Sequence, residues 1–566
     1  MTRKPFSAIR EMAELVRPYR AALGAVLAGL AVLACLNLAM PKVLGYVIDR
    51  VFKQQASPQV GLLVKVLGVI LLIYVARNVL YYLTKNKVIV VGERAAFELR
   101  QRLLSHLHTL SVDFYQQNKP GKISARVLQD VQSIKQFIQD ELASIMINVL
   151  MLVVAGAVML RVDWFLAVWT LAILPCHVAV YCVFRKPISA YAREAKERIA
   201  DVSGNLIEQF DGAATVKASA TQLIEQEKFR ESMRRGMRAQ IKQSRYYILQ
   251  KVAADLLVGL GLVVLFGVGG YSVLYRGMTP GRFVEFYGYV WLLYPRLIEL
   301  VSQAGRFPRT SASVDRVSEI LHIEPGVRER AEAVPREIAH GRIEFRNVSF
   351  GFQNATVLDD VSFVIEPGEH VLVTGPSGSG KSTCINLIPR FYDPQRGAVL
   401  VDGVDVRDFT LTSLRQQIGF VFQECFLFND TVMANIRYAW PQGEDEAIVE
   451  AARRAYAHEF IERLPQGYMT MIGEGGVQLS QGEQRRLMIA RAILKNPRIL
   501  IMDEPLVSLD RTARQRAIEG VSSLIGNRTV LTITHYPAEL PYADKQIHVA
   551  DGKVTVRDSS GVVLNP

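Results

Sequence analysis

The chain has 566 residues, half of them apolar, and a formal net charge of +12. Long apolar runs fill the first 320 positions, and basic residues cluster beside those runs, a pattern of membrane-flanking loops that argues against a nucleic-acid surface. The five cysteines lack metal-ligand spacing and three of them fall in apolar runs, so they read as free thiols behaving as small hydrophobes rather than as disulfides.

At the N-terminus, Phe6, Ile9, Met12 and Val16 recur at helical spacing among Arg3, Lys4, Arg10 and Arg17. Residues 3–20 therefore read as a short amphipathic helix at the headgroup level. The first apolar run is too long for a cleavable signal peptide, and Glu11 and Glu14 argue against a transit peptide. Six apolar segments follow, at about 21–47, 60–83, 141–160, 164–184, 252–275 and 284–302. Most are long enough to cross the hydrocarbon core. The last is the weakest, because it holds Glu285, Arg296 and Glu299; an even number of spans keeps both termini on one side. Residues 84–140 and 185–251 are long, helical in pattern and rich in Lys and Arg, which places them and the termini in the cytoplasm. Asn37, Arg77, Asn78, Asn148, His177, Asp255, Arg296 and Glu299 interrupt the spans. They read as a substrate path, or as helix-to-helix hydrogen bonds and snorkelling ends. Asp255 and Glu299 are expected at similar depth on one wall of a cavity.

Pro308, Pro325, Gly326 and Pro335 stand among charged residues over 303–340, so no long helix is expected there. The boundaries expected are a membrane domain over 1–320, a linker over 321–340 and a soluble domain over 341–566. That domain opens on the alternating strand Arg342-Ile343-Glu344-Phe345. Its centre is Gly375-Pro376-Ser377-Gly378-Ser379-Gly380-Lys381-Ser382, a P-loop between an apolar strand at 371–374 and a helix from Thr383. The glycines allow the backbone N–H groups to wrap a phosphate. Lys381 reaches the β- and γ-phosphates and Ser382 holds Mg²⁺. A second apolar strand, 499–502, ends in Asp503 and Glu504. After a P-loop, such a pair carries one carboxylate to Mg²⁺ and the other to an attacking water.

Leu479-Ser480-Gln481-Gly482-Glu483-Gln484, ahead of a helix, resembles the signature loop of ATP-binding-cassette proteins, with Gln481 and Glu483 where glycine and glutamine are usual. Phe420-Val421-Phe422-Gln423 is similar to the family's Q-loop, Thr532-Ile533-Thr534-His535 to its switch histidine and Ser508-Leu509-Asp510 to its D-loop, after Leu506-Val507 in place of Thr-Ser. Phe352 stands at the adenine-stacking position, where tyrosine is common. Asp113-Phe114-Tyr115 through Asp130-Val131 resembles the first coupling loop, and Thr215-Val216-Lys217-Ala218 lies where the second is expected. Ser313, Arg316 and Ile320-Leu321 resemble the exit from the sixth span. The whole chain thus resembles a half-transporter of the ATP-binding-cassette exporter type, in the multidrug and lipid-flippase branch.

The resemblance implies a six-helix, all-α transmembrane domain joined to an α/β P-loop nucleotide-binding domain. It implies ATP and Mg²⁺ as cofactors. Glu504 is the implied general base, His535 the γ-phosphate sensor, and Lys381 and Gln423 complete the catalytic set. Nucleotide contacts fall to the P-loop with Thr383, to Phe352 and Gln423, and to Leu479, Ser480, Gln481, Gly482, Glu483 and Asp510. Metal contacts fall to Ser382, Gln423 and Asp503. Two chains are expected to sandwich ATP, as a homodimer or else with a second half-transporter. The implied cargo is a small amphipathic, lipid-linked or peptide substrate moved across a bacterial inner membrane amid lipid, without nucleic acid. An importer on the same scaffold and a nucleotide-gated channel or regulatory subunit are the alternatives. Six spans leave no room for a soluble cassette.

Overall fold

The computed structural model describes residues 17–52, 60–304, 307–352, 355–473, 475–505, 514–515, 518–519, 528–534, 543–558 and 563–564. Residues 3–16 of the expected amphipathic helix lie outside them. Contacts divide the chain into two units, Met1–His108 with Lys119–Ile323, and Thr109–Asn118 with Glu324–Pro566.

The first unit is helical. Backbone groups without water must pair within their own segment, and these apolar sequences do so as helices. Its long helices are α1 (Arg20–Val47), α2 (Val60–Thr109), α3 (Ala143–Val162), α4 (Trp164–Leu171), α5 (Leu174–Asp211), α6 (Gln222–Tyr275), α7 (Pro280–Ala304) and α8 (Phe307–Leu321). Among the described residues, five helical stretches are long and apolar enough to cross a membrane: Arg17–Phe52, Val60–Thr109, Pro120–Val162, Trp164–Asp211 and Gln222–Tyr275. The sixth expected span is α7, whose four charged residues, Arg282, Glu285, Arg296 and Glu299, lower its hydropathy but which packs against α1 and α3. Met151, Leu166, Leu265, Phe286 and Tyr289 are almost fully buried in the shared core. The 54 residues of α6 span about 80 Å, far more than a bilayer needs.

Helix α8 departs from the expectation that proline breaks the segment after the sixth span. Pro308 is the second residue of α8, where a helix has no use for the missing N–H. Pro325 and Gly326 follow its end. The two stretches that resemble the first coupling loop and the span exit meet here. Arg316 Nε donates to Asp130 Oδ2 at 2.8 Å, its Nη2 donates to Asp130 Oδ1, and it also donates to Ser313 Oγ at 3.1 Å. Burial opposes ionisation of Asp130, but the Arg316 guanidinium and the Ser313 hydroxyl together hold its carboxyl below the usual range. Farther along the same two segments, Phe137 and Phe307 pack edge to face 5.9 Å apart.

The second unit is α/β. Strands β1 (Ile343–Phe352), β2 (Ala355–Ile365), β3 (His370–Thr374), β4 (Arg396–Val401) and β5 (Val404–Asp405) precede β6 (Ile418–Val421). Then come β7 (Asp430–Thr431), β8 (Met471–Ile472), β9 (Ile499–Asp503), β10 (Thr529–Ile533), β11 (Lys545–Ala550), β12 (Lys553–Asp558) and β13 (Val563–Leu564). One antiparallel sheet has the order β2-β1-β4-β5, and the larger sheet the order β13-β12-β11-β3-β10-β9-β6. Within the larger sheet β11, β3, β10, β9 and β6 run parallel. The parallel centre is apolar without alternation because both faces are covered. Val371, Val373, Ile499, Ile501, Leu531 and Ile533 enter one buried cluster. Their neighbours Leu372, Leu500, Met502 and Val530 enter another. That second cluster also takes Leu487, Ile489 and Ile493 of α10 (Gln481–Lys495), which follows the short α9 (Lys381–Asn386).

Helices α1 and α7 approach so closely at Gly45 and Gly281 that a Cβ on Gly281 would stand 2.3 Å from the Gly45 carbonyl oxygen. Small residues allow such approaches in membrane bundles. Asp49, beyond α1, accepts from the Gly281 N–H at 2.8 Å and from the Thr279 hydroxyl, which fixes the start of α7. Gly281→Val should therefore wedge the two helices apart and cost about 1–3 kcal/mol. The expected result is an apparent melting temperature several degrees lower in nanodiscs, and an unchanged melt would remove this contact from the determinants of the bundle.

Candidate functional site

The P-loop forms where the fully buried β3 meets α9. Gly375, Gly378 and Gly380 have φ of +142°, +79° and +100°, a region open to glycine. At Gly375 a Cβ would stand 2.0 Å from the Val549 carbonyl oxygen, and at Gly380 2.8 Å from Val357 Cγ1. Pro376, Ser377 and Gly378 form the exposed tip. The buried Lys381 folds back so that its Nζ donates to the carbonyls of Gly375 and Pro376 at 2.9 and 2.8 Å. The Ser379 hydroxyl is buried and has no hydrogen-bond partner among the described residues. A pinned ammonium, an unused hydroxyl donor and a glycine backbone suit a polyphosphate. Thr383 is half-buried in α9, and beside it burial pushes the Cys384 thiol up to about 12, so this cysteine is packing and not chemistry.

The acidic side of the site comes from the neighbouring strands. Asp503 ends β9, which pairs with β10, which in turn pairs with β3. Burial raises the Asp503 carboxyl, and the charge of Glu504 raises it further. Ser382, hydrogen-bonded to it, together with Lys381 and Arg485, works in the other direction. A half-buried carboxylate beside a hydroxyl is an oxygen donor set that suits a hard cation such as Mg²⁺. Glu504 has φ +47°, a left-handed conformation that is costly for a side chain of this kind. Its N–H donates to the Ile533 carbonyl at 3.1 Å, which holds the turn. The turn brings its carboxylate to Gln423, whose Nε2 donates to Glu504 Oε2 at 2.8 Å. Lys381, Ser382, Gln423, Asp503 and Glu504 are thus brought together. His535 and Asp510 lie outside the described residues, as do Leu506 to Leu509.

Leu479 is buried ahead of α10, and Ser480 caps that helix. Ser480 Oγ accepts from the Glu483 N–H at 3.3 Å, while Glu483 Oε2 accepts from the Ser480 N–H and hydroxyl, both at 2.8 Å. Glutamate at 483 therefore closes a capping box. Gln481 takes the first helical position with its side chain exposed, and the Gly482 carbonyl accepts from Arg486. Phe352 is half-buried between Phe350 and Tyr392, with ring centroids 5.0 and 5.3 Å away, so part of its surface serves the core. Tyr392 is also within electrostatic reach of Asp113; burial raises its hydroxyl pKa, and that charge adds to the rise.

One residue escaped the sequence reading. Arg485, buried in α10, donates from Nη1 to the Phe422 carbonyl at 2.6 Å and from Nη2 to the Gln423 carbonyl at 2.8 Å. It fastens the signature helix to the loop that carries Gln423. Its signal was available, since Arg485, Arg486 and Arg491 are the polar residues of the stretch 485–493, which is otherwise apolar on every face.

In the first unit, Asn37, Arg77, Asn78, Arg296 and Glu299 line a cavity of about 510 Å³. Lys85 and Asp140, which the sequence placed in a cytoplasmic loop, line it too. Asn148 is buried behind it and accepts from Arg296 at 3.3 Å. His177 is buried elsewhere, edge-on to Tyr294. Asp255 is exposed and does not join Glu299 on the cavity wall, which corrects the expected pairing. The helical phase of α6 turns it away, a variable that depth along a helix does not contain.

Comparison with known proteins agrees with this geometry. The model of the ABC transporter transmembrane region matches residues 23–294, and that of the ABC transporter domain matches residues 358–507. A Staphylococcus aureus protein named for multidrug export, an ATP-binding/permease protein, is 34% identical over 559 residues, 96% of each chain. An ATP-dependent lipid A-core flippase of Syntrophus aciditrophicus is 34% identical over 88% of this chain and 82% of its own. The solved structure of a bacterial Atm1-family ABC exporter with ATP bound matches with a TM-score of 0.79 at 25% identity, covering 94% of both chains.

Removing the Arg485 clamp should loosen the Gln423 loop without touching the P-loop. For Arg485→Ala we expect ATP turnover to fall about tenfold or more, since two charge-assisted hydrogen bonds to buried carbonyls are lost. Nucleotide affinity, read with a fluorescent ATP analogue, should change little. Wild-type turnover in a folded variant would show that the clamp is dispensable.

Proposed function

This chain belongs to the ATP-binding-cassette exporter family and is an ATP-driven exporter, and on that premise we propose how its own residues divide the work. ATP with Mg²⁺ supplies the phosphoryl chemistry when bound. Lys381 exchanges the Gly375 and Pro376 carbonyls for phosphate oxygens, and the Ser379 hydroxyl gains an acceptor. Phe352 and Thr383 contribute to the nucleotide pocket. Asp503 and Ser382 hold the metal ion, with Gln423 beside them. Glu504 takes the proton of the attacking water, oriented by Gln423. His535 senses the γ-phosphate.

The observation that carries this reading is the convergence of Gly375, Gln423, Asp503 and Glu504 at the carboxyl ends of neighbouring parallel strands. Ligands of open α/β sheets bind at that edge. In the proposed assembly two copies form a homodimer, and the loop Leu479–Glu483 of one copy, with Asp510, completes the nucleotide site of the other. The membrane domain, 1–320, crosses a bacterial inner membrane with both termini cytoplasmic. The linker 321–340 joins it to the nucleotide-binding domain, 341–566. The cargo is amphipathic, lipid-linked or peptide-like, in keeping with relatives named for multidrug export and for lipid A-core. Alternating access follows from the higher affinity of ATP for the closed dimer.

Two measurements test the reading. Glu504→Gln should leave ATP binding intact and lower hydrolysis about 100-fold or more, because it removes one general base. Near wild-type turnover would reject that role. Co-expressing Lys381→Ala with Ser480→Arg chains tests the composite site: mixed dimers then hold one site with both lesions and one with neither, so part of the turnover should return. A fully active monomer in nanodiscs would refute the shared site.

A further inference from the structure

Helices α5 and α6 run on past their apolar spans as a paired extension. Tyr191 stacks on Tyr246 with ring centroids 4.9 Å apart, and Gln209 Nε2 donates to Glu225 Oε2 at 3.2 Å, so the two helices stay side by side. The first turns of this extension are strongly basic. Arg185, Lys186 and Arg193 of α5 and Lys242, Arg245 and Lys251 of α6 are all exposed. Glu194 and Asp255 are the carboxylates of the same stretches, 185–195 and 241–255. Among the described residues none of the six cations has a carboxylate partner, and Lys242 lies over the Tyr191 ring, 6.0 Å from its centroid. Four of the cations farther out differ, because each has an acidic partner on its own helix. Arg198 pairs with Asp201, Lys228 with Glu225, Arg230 with Glu227 and Arg235 with Glu231.

Position along the helices separates the two groups. At about 1.5 Å per residue, each of the six lies within about 15 Å of the apolar edges at Phe184 and Val252, and each of the four lies about 20 Å or more beyond them. The headgroup layer fills roughly the first 5–8 Å of that distance. Screening sets in over about 8 Å at physiological salt. The six unpaired cations therefore stand where the field of an anionic leaflet is felt, and the four paired ones stand outside it. The side chains between them fit the same boundary. Val183, Tyr247, Ile248 and Leu249 are more than half exposed, a mixture of apolar and aromatic groups that suits the edge of a bilayer. A second copy of this surface would be repelled by its charge, whereas a negatively charged layer would complete it.

We propose that the first turns of the α5–α6 extension bind the anionic phospholipid headgroups of the leaflet from which it emerges, around the Tyr191–Tyr246 stack with Arg193, Lys242 and Arg245. The proposal rests on the membrane-spanning reading of the two helices and is independent of the cargo.

The test uses the full chain reconstituted in phosphatidylcholine bilayers with a trace of spin-labelled phosphatidylglycerol or spin-labelled phosphatidylcholine. The motionally restricted fraction of each label gives its relative association with the protein. We expect phosphatidylglycerol to associate about fivefold more strongly than phosphatidylcholine, the effect of one cation near a lipid surface. The preference should shrink at about 1 M salt, where screening acts within about 3 Å. Replacing Arg193, Lys242 and Arg245 together by Gln should remove most of it. Replacing Lys228, Arg230 and Arg235 by Gln removes the same charge farther out and should leave it intact. Equal association of the two lipids with the wild-type chain would overturn the proposal. So would a preference that survives in the folded inner triple variant. Equal losses in both triple variants would reduce the effect to net charge and overturn the assigned place. Competition by inorganic phosphate, at an ionic strength matched with chloride, would turn the surface into a site for free anions and overturn the lipid as its partner. A chain that restricts neither label would fail earlier, at the membrane-spanning reading itself.

Discussion

Everything the soluble unit offers to a nucleotide depends on one edge of a buried parallel sheet. Strands β6, β9, β10 and β3 are neighbours and run in one direction, so their carboxyl ends line up. Burial on both faces leaves the strands no freedom of register, because a slip by one residue would exchange the residues of two packed clusters. The chemistry is therefore placed by packing that never touches it. Gly375 follows β3, Gln423 lies two residues past the end of β6, and Asp503 closes β9 with Glu504 directly after it. Glu504 adopts a costly backbone conformation at that edge, held by the N–H bond to Ile533 on the next strand.

The edge is also tied to the helix that the signature loop opens. Arg485 joins the carbonyls of Phe422 and Gln423 to α10, five residues after the serine that caps that helix. A displacement of the signature helix therefore pulls on the glutamine that touches Glu504. A guanidinium nearly removed from water costs several kcal/mol unless its donors are used, so the clamp is rigid for the same reason that it is expensive. Arg491 repeats the device further along: it is buried, donates to the carbonyls of Phe426 and Asn435, and desolvation lowers its pKa to about 10. Two buried cations on one helix thus fasten the segment 422–426 and Asn435 to it.

Much of this could be read from the residues, for physical reasons that vary. Glycines at 375, 378 and 380 announce their backbone, because no other residue tolerates those φ angles. The acidic pair after an apolar run announces the end of a strand. What periodicity could not supply was direction in space. Asp255 and Glu299 share a depth along their helices, yet only Glu299 reaches the cavity. The proline-rich stretch after the sixth span looked broken, and the rule that proline stops a helix is silent about its first turn, where Pro308 sits. Arg485 was passed over because arginine in a helix is ordinarily a solvated face. The partners that make it structural, two carbonyls more than 60 residues away, leave no local mark.

Glu483 shows how one substitution can serve two requirements that conflict. As the third residue of α10 it accepts from the N–H and hydroxyl of Ser480 and strengthens the capping box, a contribution of about 1 kcal/mol to the helix. A carboxylate also complements the positive end of the helix better than a neutral amide does. The same helix end is what a phosphate of the partner copy would meet in the proposed dimer, and there the carboxylate repels. Two unit charges about 4 Å apart at a protein surface interact by about 4 kcal/mol, more than the capping box contributes. The side chain must then leave Ser480 and swing into solvent, a movement its half-exposed position allows. Closure of such a dimer would thus carry the loss of the capping box as part of its cost, and the resting helix is more stable by the amount that the closed one forgoes.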